Sequence, residues 1–414
     1  MVILFPVKQI LPMILVAFGQ ALSNPLFWLV VLLVGAQYRR FAQTKQRLFG
    51  VTDEPVWQHT LLATFHGLLG GLLGSFLMIL VGISLSQIPI VWLLILAFSL
   101  MLISPRFLCF SYAGGIISLS SILLGFPKTD VPHLMGLVAI LHMVESILIL
   151  ISGHLGALPV YTRNVTGRVV GAFNLQKFWP IPIVALLAVP LTGQVNPADM
   201  VQMPDWWPLI RPMHAGNLDN VIYAILPVIA GLGYGDLAVT SVPQRKSRIS
   251  AFNLAVYSLL LGLSVFASYY PVFSIVPALF GPLGHEYIIK LGQRRELNGK
   301  PLYVAPPEGV MVLDVLRSSP AASMGLKSGD ILISVNGYRV NSRYDLAEAL
   351  AISPFFVEVD FISFDQKQFV RRQGRKPVDE PFGVILAPEP YDSPHVEFGQ
   401  KGFLPRFWER LLRK

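Results

Sequence analysis

The chain is poor in charge and almost without cysteine. Asp, Glu, Lys and Arg make up 14% of its 414 residues, against about 25% in ordinary soluble domains. Hydrophobic residues reach 53%, which excludes a single soluble body and implies a membrane part joined to a smaller soluble part. The one cysteine, Cys109, lies in an apolar run; an intrachain disulfide is excluded, and the redox compartment stays open. The net charge is +8, but the Lys and Arg sit in short loops between apolar runs. That is the pattern of cytoplasmic retention, not of nucleic-acid binding.

Catalytic sets are also missing. No Ser-His-Asp arrangement, phosphate loop or Cys-His cluster is recognisable. Gly284-His285-Glu286-Tyr287-Ile288-Ile289 starts like the His-Glu-x-x-His of a zinc protease and fails at Ile289, where the second imidazole would stand. The Asp-Gly motif that an intramembrane metalloprotease also needs is absent, since Asn217-Leu218-Asp219-Asn220 lacks the glycine. His285 and Glu286 are then expected to pack at a helix end beside basic residues. Gly233-Tyr234-Gly235-Asp236 looks like a potassium-channel filter, but Gly231-Leu232 replaces the threonine-containing entry. It reads as a glycine-rich bend near a helix end. The chain is therefore expected to be no enzyme, with no metal and no cofactor.

Long apolar runs are what the sequence has in plenty. A spanning helix needs about 20 apolar residues. Ile10–Ala36 is long enough but is interrupted by Asn24-Pro25, giving one kinked span or a hairpin of two short helices. Val2–Ser23 makes a poor secretory leader, with Lys8 as its only charge. Leu61–Ser84 follows, with Gly70 and Gly74 in a G-x-x-x-G that lets backbones approach closely. Ile88–Ile103, Phe107–Phe126, His133–Leu155, the proline-broken Phe178–Thr192, Val221–Thr240, Phe252–Tyr270 and Val272–Ile289 complete a polytopic α-helical membrane domain of about eight spans. The basic loops 37–58, 156–178 and 241–250 are placed inside. The loops 85–88, 127–132 and 193–219, the last with Trp206-Trp207, are placed outside. The cluster Lys290, Arg294, Arg295 and Lys300 then favours a cytoplasmic C-terminal part.

Within the span His133–Leu155, His142 and Glu145 stand at i, i+3 on one helix face. Ionisable residues in a membrane interior are costly and mark functional candidates by default. A proton relay or ion site is one reading; a mutual hydrogen bond that fixes helix packing is the other. The intramembrane polar candidates are thus His142, Glu145, His285 and Glu286.

From Gly309 the pattern changes. Gly309–Val315 is a β-branched, apolar strand. Ser319-Pro320-Ala321-Ala322 opens a short helix with a serine cap and a first-turn proline. Gly325-Leu326-Lys327-Ser328-Gly329-Asp330 is a tight turn, Ile331–Val335 a strand, and Asn336-Gly337 a hairpin turn. Ser342-Arg343-Tyr344-Asp345 resembles a capping box and opens a helix through Leu350, and Phe355–Phe361 alternates as a strand. In this order the motifs resemble bacterial PDZ domains of protease-associated type. The resemblance implies a small α+β fold that adds a peptide to a sheet edge. The groove wall would be Tyr344–Leu350, with Tyr344, Ala347 and Leu350 facing the ligand. The loop would be Pro381-Phe382-Gly383-Val384-Ile385, one glycine short of the family pattern, or else Leu297-Asn298-Gly299.

The whole layout is similar to the MinJ family of polytopic, PDZ-bearing division-site determinants. The resembling residues are Asn24-Pro25-Leu26-Phe27-Trp28, Asp130-Val131-Pro132-His133-Leu134, Leu141-His142 with Glu145-Ser146, Gly233-Tyr234-Gly235-Asp236 and Gly284-His285-Glu286. The resemblance implies a scaffold in a bacterial cell membrane, enriched at septa and poles. Its partners would be a DivIVA-type polar protein and a MinD-type ATPase. The expected division is 1–290 membrane domain, 291–390 PDZ domain and 391–414 basic amphipathic tail, the last suited to an anionic lipid surface. Two other functions fit the sequence: a non-catalytic regulator of a membrane protease, and a transporter or channel using His142 and Glu145.

Overall fold

Asn24 decides the first turn of the chain. Its side chain accepts a hydrogen bond from the Leu26 N–H at 2.9 Å, capping a helix that has Pro25 at its first position, where proline loses no hydrogen bond. The computed structural model describes residues 4–51, 55–86, 88–190, 200–211, 221–267, 270–353 and 355–396. In it, α1 (Val7–Ser23) and α2 (Pro25–Phe49) meet at this cap with a bend of 66°. The helices α3 (Val56–Val81), α4 (Ile90–Ile103), α5 (Phe110–Leu124), α6 (Val131–Ser152), α7 (Pro243–Ala267) and α8 (Ile275–Asn298) follow. Four of them, α3, α6, α7 and α8, are long and apolar enough to cross a membrane, and the bent pair α1–α2 would make a fifth. α4 and α5, of 14 and 15 residues, fall short of the roughly 20 needed. The tail Phe403–Lys414, Asp199, Tyr269 and the 217–220 segment lie outside the described residues.

Two expected spans are strands. Phe178–Thr192 lies largely in β2 (Val169–Pro190), and Val221–Thr240 lies largely in β3 (Val221–Ala238). With β1 (Leu158–Arg163) they form an antiparallel sheet in the order β1-β2-β3. Pro180, Pro182 and Pro227 would each remove a hydrogen bond from a helix, and Val, Ile and aromatic residues suit a pleated surface. The helical reading arose because β2 is covered on both faces, so its apolar residues run on without alternating. Gly233-Tyr234-Gly235-Asp236 accordingly lies in β3, paired with Lys177, Phe178, Gln176 and Leu175 of β2. It is neither a filter nor a bend at a helix end. Asp236 accepts from the Ser250 hydroxyl at 2.6 Å and faces the Lys246 ammonium at 3.2 Å.

Beyond Asn174 the far edge of β2 has no strand beside it among the described residues, and α3 covers that edge. A Cβ on Gly67 or Gly71 would strike the Pro180 or Pro182 carbonyl oxygen, while one on Gly70 would meet Leu148 and Val144 of α6. One glycine-rich helix thus lets a strand approach on one side and a helix on the other. Ser75 Oγ accepts from the Val184 N–H at 2.8 Å, Ser86 Oγ from the Ala188 N–H at 2.6 Å, and Leu85 N–H donates to the Leu186 carbonyl at 2.8 Å. These bonds satisfy backbone groups that an apolar interior would otherwise leave at high cost.

The C-terminal sheet runs β8-β7-β5-β4-β9, with β6 beside β5. Its strands are β4 (Val310–Val315), β5 (Ile331–Val335), β6 (Tyr338–Arg339), β7 (Phe356–Ile362), β8 (Phe369–Arg375) and β9 (Val384–Leu386). Two helices accompany them, α9 (Pro320–Ser323) and α10 (Arg343–Ile352). The local signals act as expected. Ser319 caps α9 through the Ala322 N–H. Ser342 accepts from the Asp345 N–H while Asp345 accepts from the Asn341 N–H. Asn336 and Gly337 take positive φ in the β5–β6 turn. Val312, Leu332, Val335, Val340 and Val359 are fully buried in one core.

Candidate functional site

β9 ends the C-terminal sheet, with β4 as its one strand neighbour among the described residues. Val315 pairs with Val384 and Val312 with Leu386. The preceding loop is fixed by its own carbonyls. Phe382 C=O accepts from the Ala321 N–H at 3.0 Å, and Gly383 C=O accepts from the Leu316 N–H at 2.9 Å. Gly383 has φ of 89°, and a Cβ there would collide with the Ser319 side chain, so glycine is required. Phe382 and Ile385 are buried and Val384 is half-buried. On α10, Leu346 and Ala349 face the core, Leu350 is half-buried, and Tyr344 and Ala347 are exposed. The alternative loop Leu297-Asn298-Gly299 is instead the end of α8, where the Gly299 N–H bonds to the Arg295 carbonyl.

The segment after β9 returns to the membrane part. Tyr161 of β1 donates its hydroxyl to the Leu386 carbonyl at 2.9 Å, and its ring stacks on His395 with centroids 4.6 Å apart. The Tyr161 N–H donates to His395 Nδ1, and the His395 and Val396 N–H groups donate to the Tyr161 carbonyl. Burial holds the His395 imidazole below its ordinary range and pushes the Tyr161 phenol up to about 12. Arg343, at the start of α10, bonds to Asp392 at 2.9 Å. Lys45 of α2 lies 3.3 Å from Asp314 of β4, and the Gly171 N–H donates to the Tyr303 carbonyl at 2.8 Å.

The intramembrane candidates separate into two groups. Glu286 belongs to a polar set with Arg106 at 3.4 Å, Lys290 at 3.3 Å and the Tyr112 hydroxyl at 2.7 Å; it stands beside basic residues, but in the middle of α8 and not at a helix end. His285, next to it in sequence, points elsewhere and is buried. His142 does not use Glu145 as its partner: its Nδ1 lies 2.7 Å from the Val138 carbonyl and its Nε2 3.1 Å from Cys109 Sγ. His285 Nε2 lies 3.7 Å from the same sulfur. Cys109, His142 and His285 therefore form a cluster whose ligand-type atoms all lie within 4.8 Å of one another. Sequence spacing concealed this cluster, because its members are 33 and 176 residues apart from Cys109. The hints were a lone cysteine in an apolar run and the two histidines, His142 and His285, already singled out in apolar segments. Glu145 stays half-buried, within electrostatic reach of Cys109 and Tyr257.

The PDZ-domain family model matches residues 289–353, which cover α8's last turns through α10. The C-terminal module is a PDZ domain. Its relatives among solved structures include the PDZ domain of an SdrC-like protein from Listeria monocytogenes, 19% identical, covering 20% of this chain and 92% of that one with a TM-score of 0.18. Over 259 residues the chain is 23% identical to the cell division topological determinant MinJ of Bacillus subtilis. That match takes in 60% of this chain and 59% of MinJ, so the chain spans somewhat over half the length of the curated relative it matches. Over that length the chain is similar to a division determinant, and several of its helices are long and apolar enough to cross a membrane.

Proposed function

We propose that the chain is a non-catalytic, multi-pass membrane scaffold for placing the division site, with residues 1–290 in the membrane, a PDZ domain over 291–390 on the cytoplasmic face, and a tail over 391–414 able to rest on lipid. The observation that carries this reading is the position of β9. It is a terminal strand, and a PDZ fold binds by adding an extended peptide at such an edge. Phe382, Gly383, Val384 and Ile385 would form the strand side of the groove, and Tyr344, Ala347 and Leu350 of α10 its wall. The similarity to MinJ supports partners of the DivIVA and MinD types, and the basic loops support the cytoplasmic orientation. The test is a C-terminal fluorescent fusion, in a tag that matures only in the cytoplasm, imaged in dividing cells. Enrichment at septa and poles is expected, with dispersal on Leu350→Arg. Even labelling of the membrane would count against a division role, and a dark tag on a protein seen by blot would count against the orientation.

A further inference from the structure

Cys109, His142 and His285 reach one point from three different places: the cap of α5, the middle of α6 and the middle of α8. Both imidazoles are at least nine-tenths buried, at 4% and 9% exposure. The arrangement leaves protons short. His142 Nδ1, beside the Val138 carbonyl, must carry its hydrogen to donate, so His142 Nε2 presents a lone pair to Cys109. The single S–H can satisfy that lone pair alone. If His285 also turns a lone pair to the sulfur, nothing satisfies it. If it turns an N–H there, its Nδ1 lone pair is left over, and that atom is buried with no partner among the described residues. In either tautomer a buried nitrogen goes unsatisfied, which costs about 1–3 kcal/mol.

A metal ion at the centre removes the conflict at the sulfur. Zinc–sulfur bonds of about 2.3 Å and zinc–nitrogen bonds of about 2.0–2.1 Å, at tetrahedral angles, set sulfur and nitrogen about 3.5 Å apart. The two separations found here, 3.1 and 3.7 Å, lie on either side of that. The carbonyl held by His142 Nδ1 is the usual outer partner that fixes a ligand imidazole. One thiolate with two imidazoles suits zinc, cobalt or copper over magnesium or calcium.

We infer that Cys109, His142 and His285 bind one transition-metal ion of the zinc class, clamping α5, α6 and α8 together inside the membrane part. Binding forms one metal–sulfur and two metal–nitrogen bonds and releases the thiol proton to solvent. Three protein ligands leave a fourth position open. Glu286, the carboxylate beside His285 in sequence, is held by Arg106, Lys290 and Tyr112, so the ion acts as a staple between helices.

Cys109 is the only cysteine, which makes the thiol signal unambiguous. The full chain in detergent would be titrated with cobalt(II) and then zinc(II), and its metal content measured. One ion per chain is expected, with a sulfur-to-cobalt charge-transfer band that zinc displaces. Cys109→Ser should abolish the band, and His142→Ala or His285→Ala should weaken binding by more than about tenfold, since even loss of an outer partner costs that much. A variant that fails to fold is bypassed on the wild-type chain, where zinc should slow alkylation of Cys109 and a chelator should restore it. A wild-type chain that takes up no cobalt, shows no thiolate band, or alkylates at the same rate with and without zinc overturns the site.

Discussion

The β1-β2-β3 sheet and the PDZ sheet differ in what satisfies their backbones. The PDZ sheet is built from short strands with frequent turns, and β9 stands last in it, beside β4. The sheet of the membrane part is built around two long strands, β2 of 22 and β3 of 18 residues, and β2's free side is closed by α3 and the segment after it. An apolar interior offers no hydrogen bonds of its own, so backbone inside it must be satisfied by protein. Water tolerates an open edge, and a binding module uses one. The same secondary structure is thus a closed support in one region and, on the proposed function, a docking edge in the other.

The closure of β2 is where that contrast breaks most readily. Gly71→Leu places a side chain against the Pro182 carbonyl and Phe18. Overpacking of this kind costs about 1–3 kcal/mol or more, and backbone cannot yield as a side chain does. The expected result is loss of the folded membrane part, read as aggregation on size-exclusion chromatography in detergent. A substitution at Gly325, where a Cβ meets nothing, should spare the membrane part.

Ser75→Ala sharpens the comparison. It leaves the Val184 N–H without the hydroxyl that accepts it at 2.8 Å, at a cost of about 1–3 kcal/mol. A lower thermal midpoint for the membrane part is expected, with little effect from Ser323→Ala, whose hydroxyl bonds within a single PDZ turn.

The smallest effect lies where the two regions meet. Burial depresses the His395 pKa in the fold, so the unfolded chain binds the proton more readily. Its contribution is therefore complete above the unfolded value of about 6.5 and declines as pH falls below it. Protonated Nδ1 also cannot accept from the Tyr161 N–H. Hydrogen exchange at Tyr161 and Val396, corrected for intrinsic rates, should quicken between pH 7.5 and 5.5. His395→Asn should flatten that dependence.

These differences explain what the sequence reveals. The PDZ module is legible because its signals are local: the Ser319 and Ser342 caps, the Asn336-Gly337 turn and the alternation in β7 each lie within a few residues. The long helices are legible from length and hydropathy, and Asn24-Pro25 marks the bend between α1 and α2. β2 is not legible because enclosure on both faces erases alternation, and β3, half-buried for most of its length, carries apolar residues on both faces; each leaves an apolar run that length alone assigns to helix. Pro180 and Pro182 are the residues that contradict a helix. The Cys109 cluster is hidden for another reason: only tertiary packing of α5, α6 and α8 brings its members together.

The anchorage of the PDZ domain has a consequence for anything it holds. Tyr161 grips both the strand β9 and the segment beyond it, while Lys45 and Gly171 secure β4 and Tyr303. A module on a flexible tether lets its cargo sample a volume set by linker length. A module anchored at several points presents cargo at one height and one heading relative to the helices beneath. On the proposed function, partners gathered by neighbouring copies would share a common orientation, and an array of such chains would impose direction as well as location on what assembles above it.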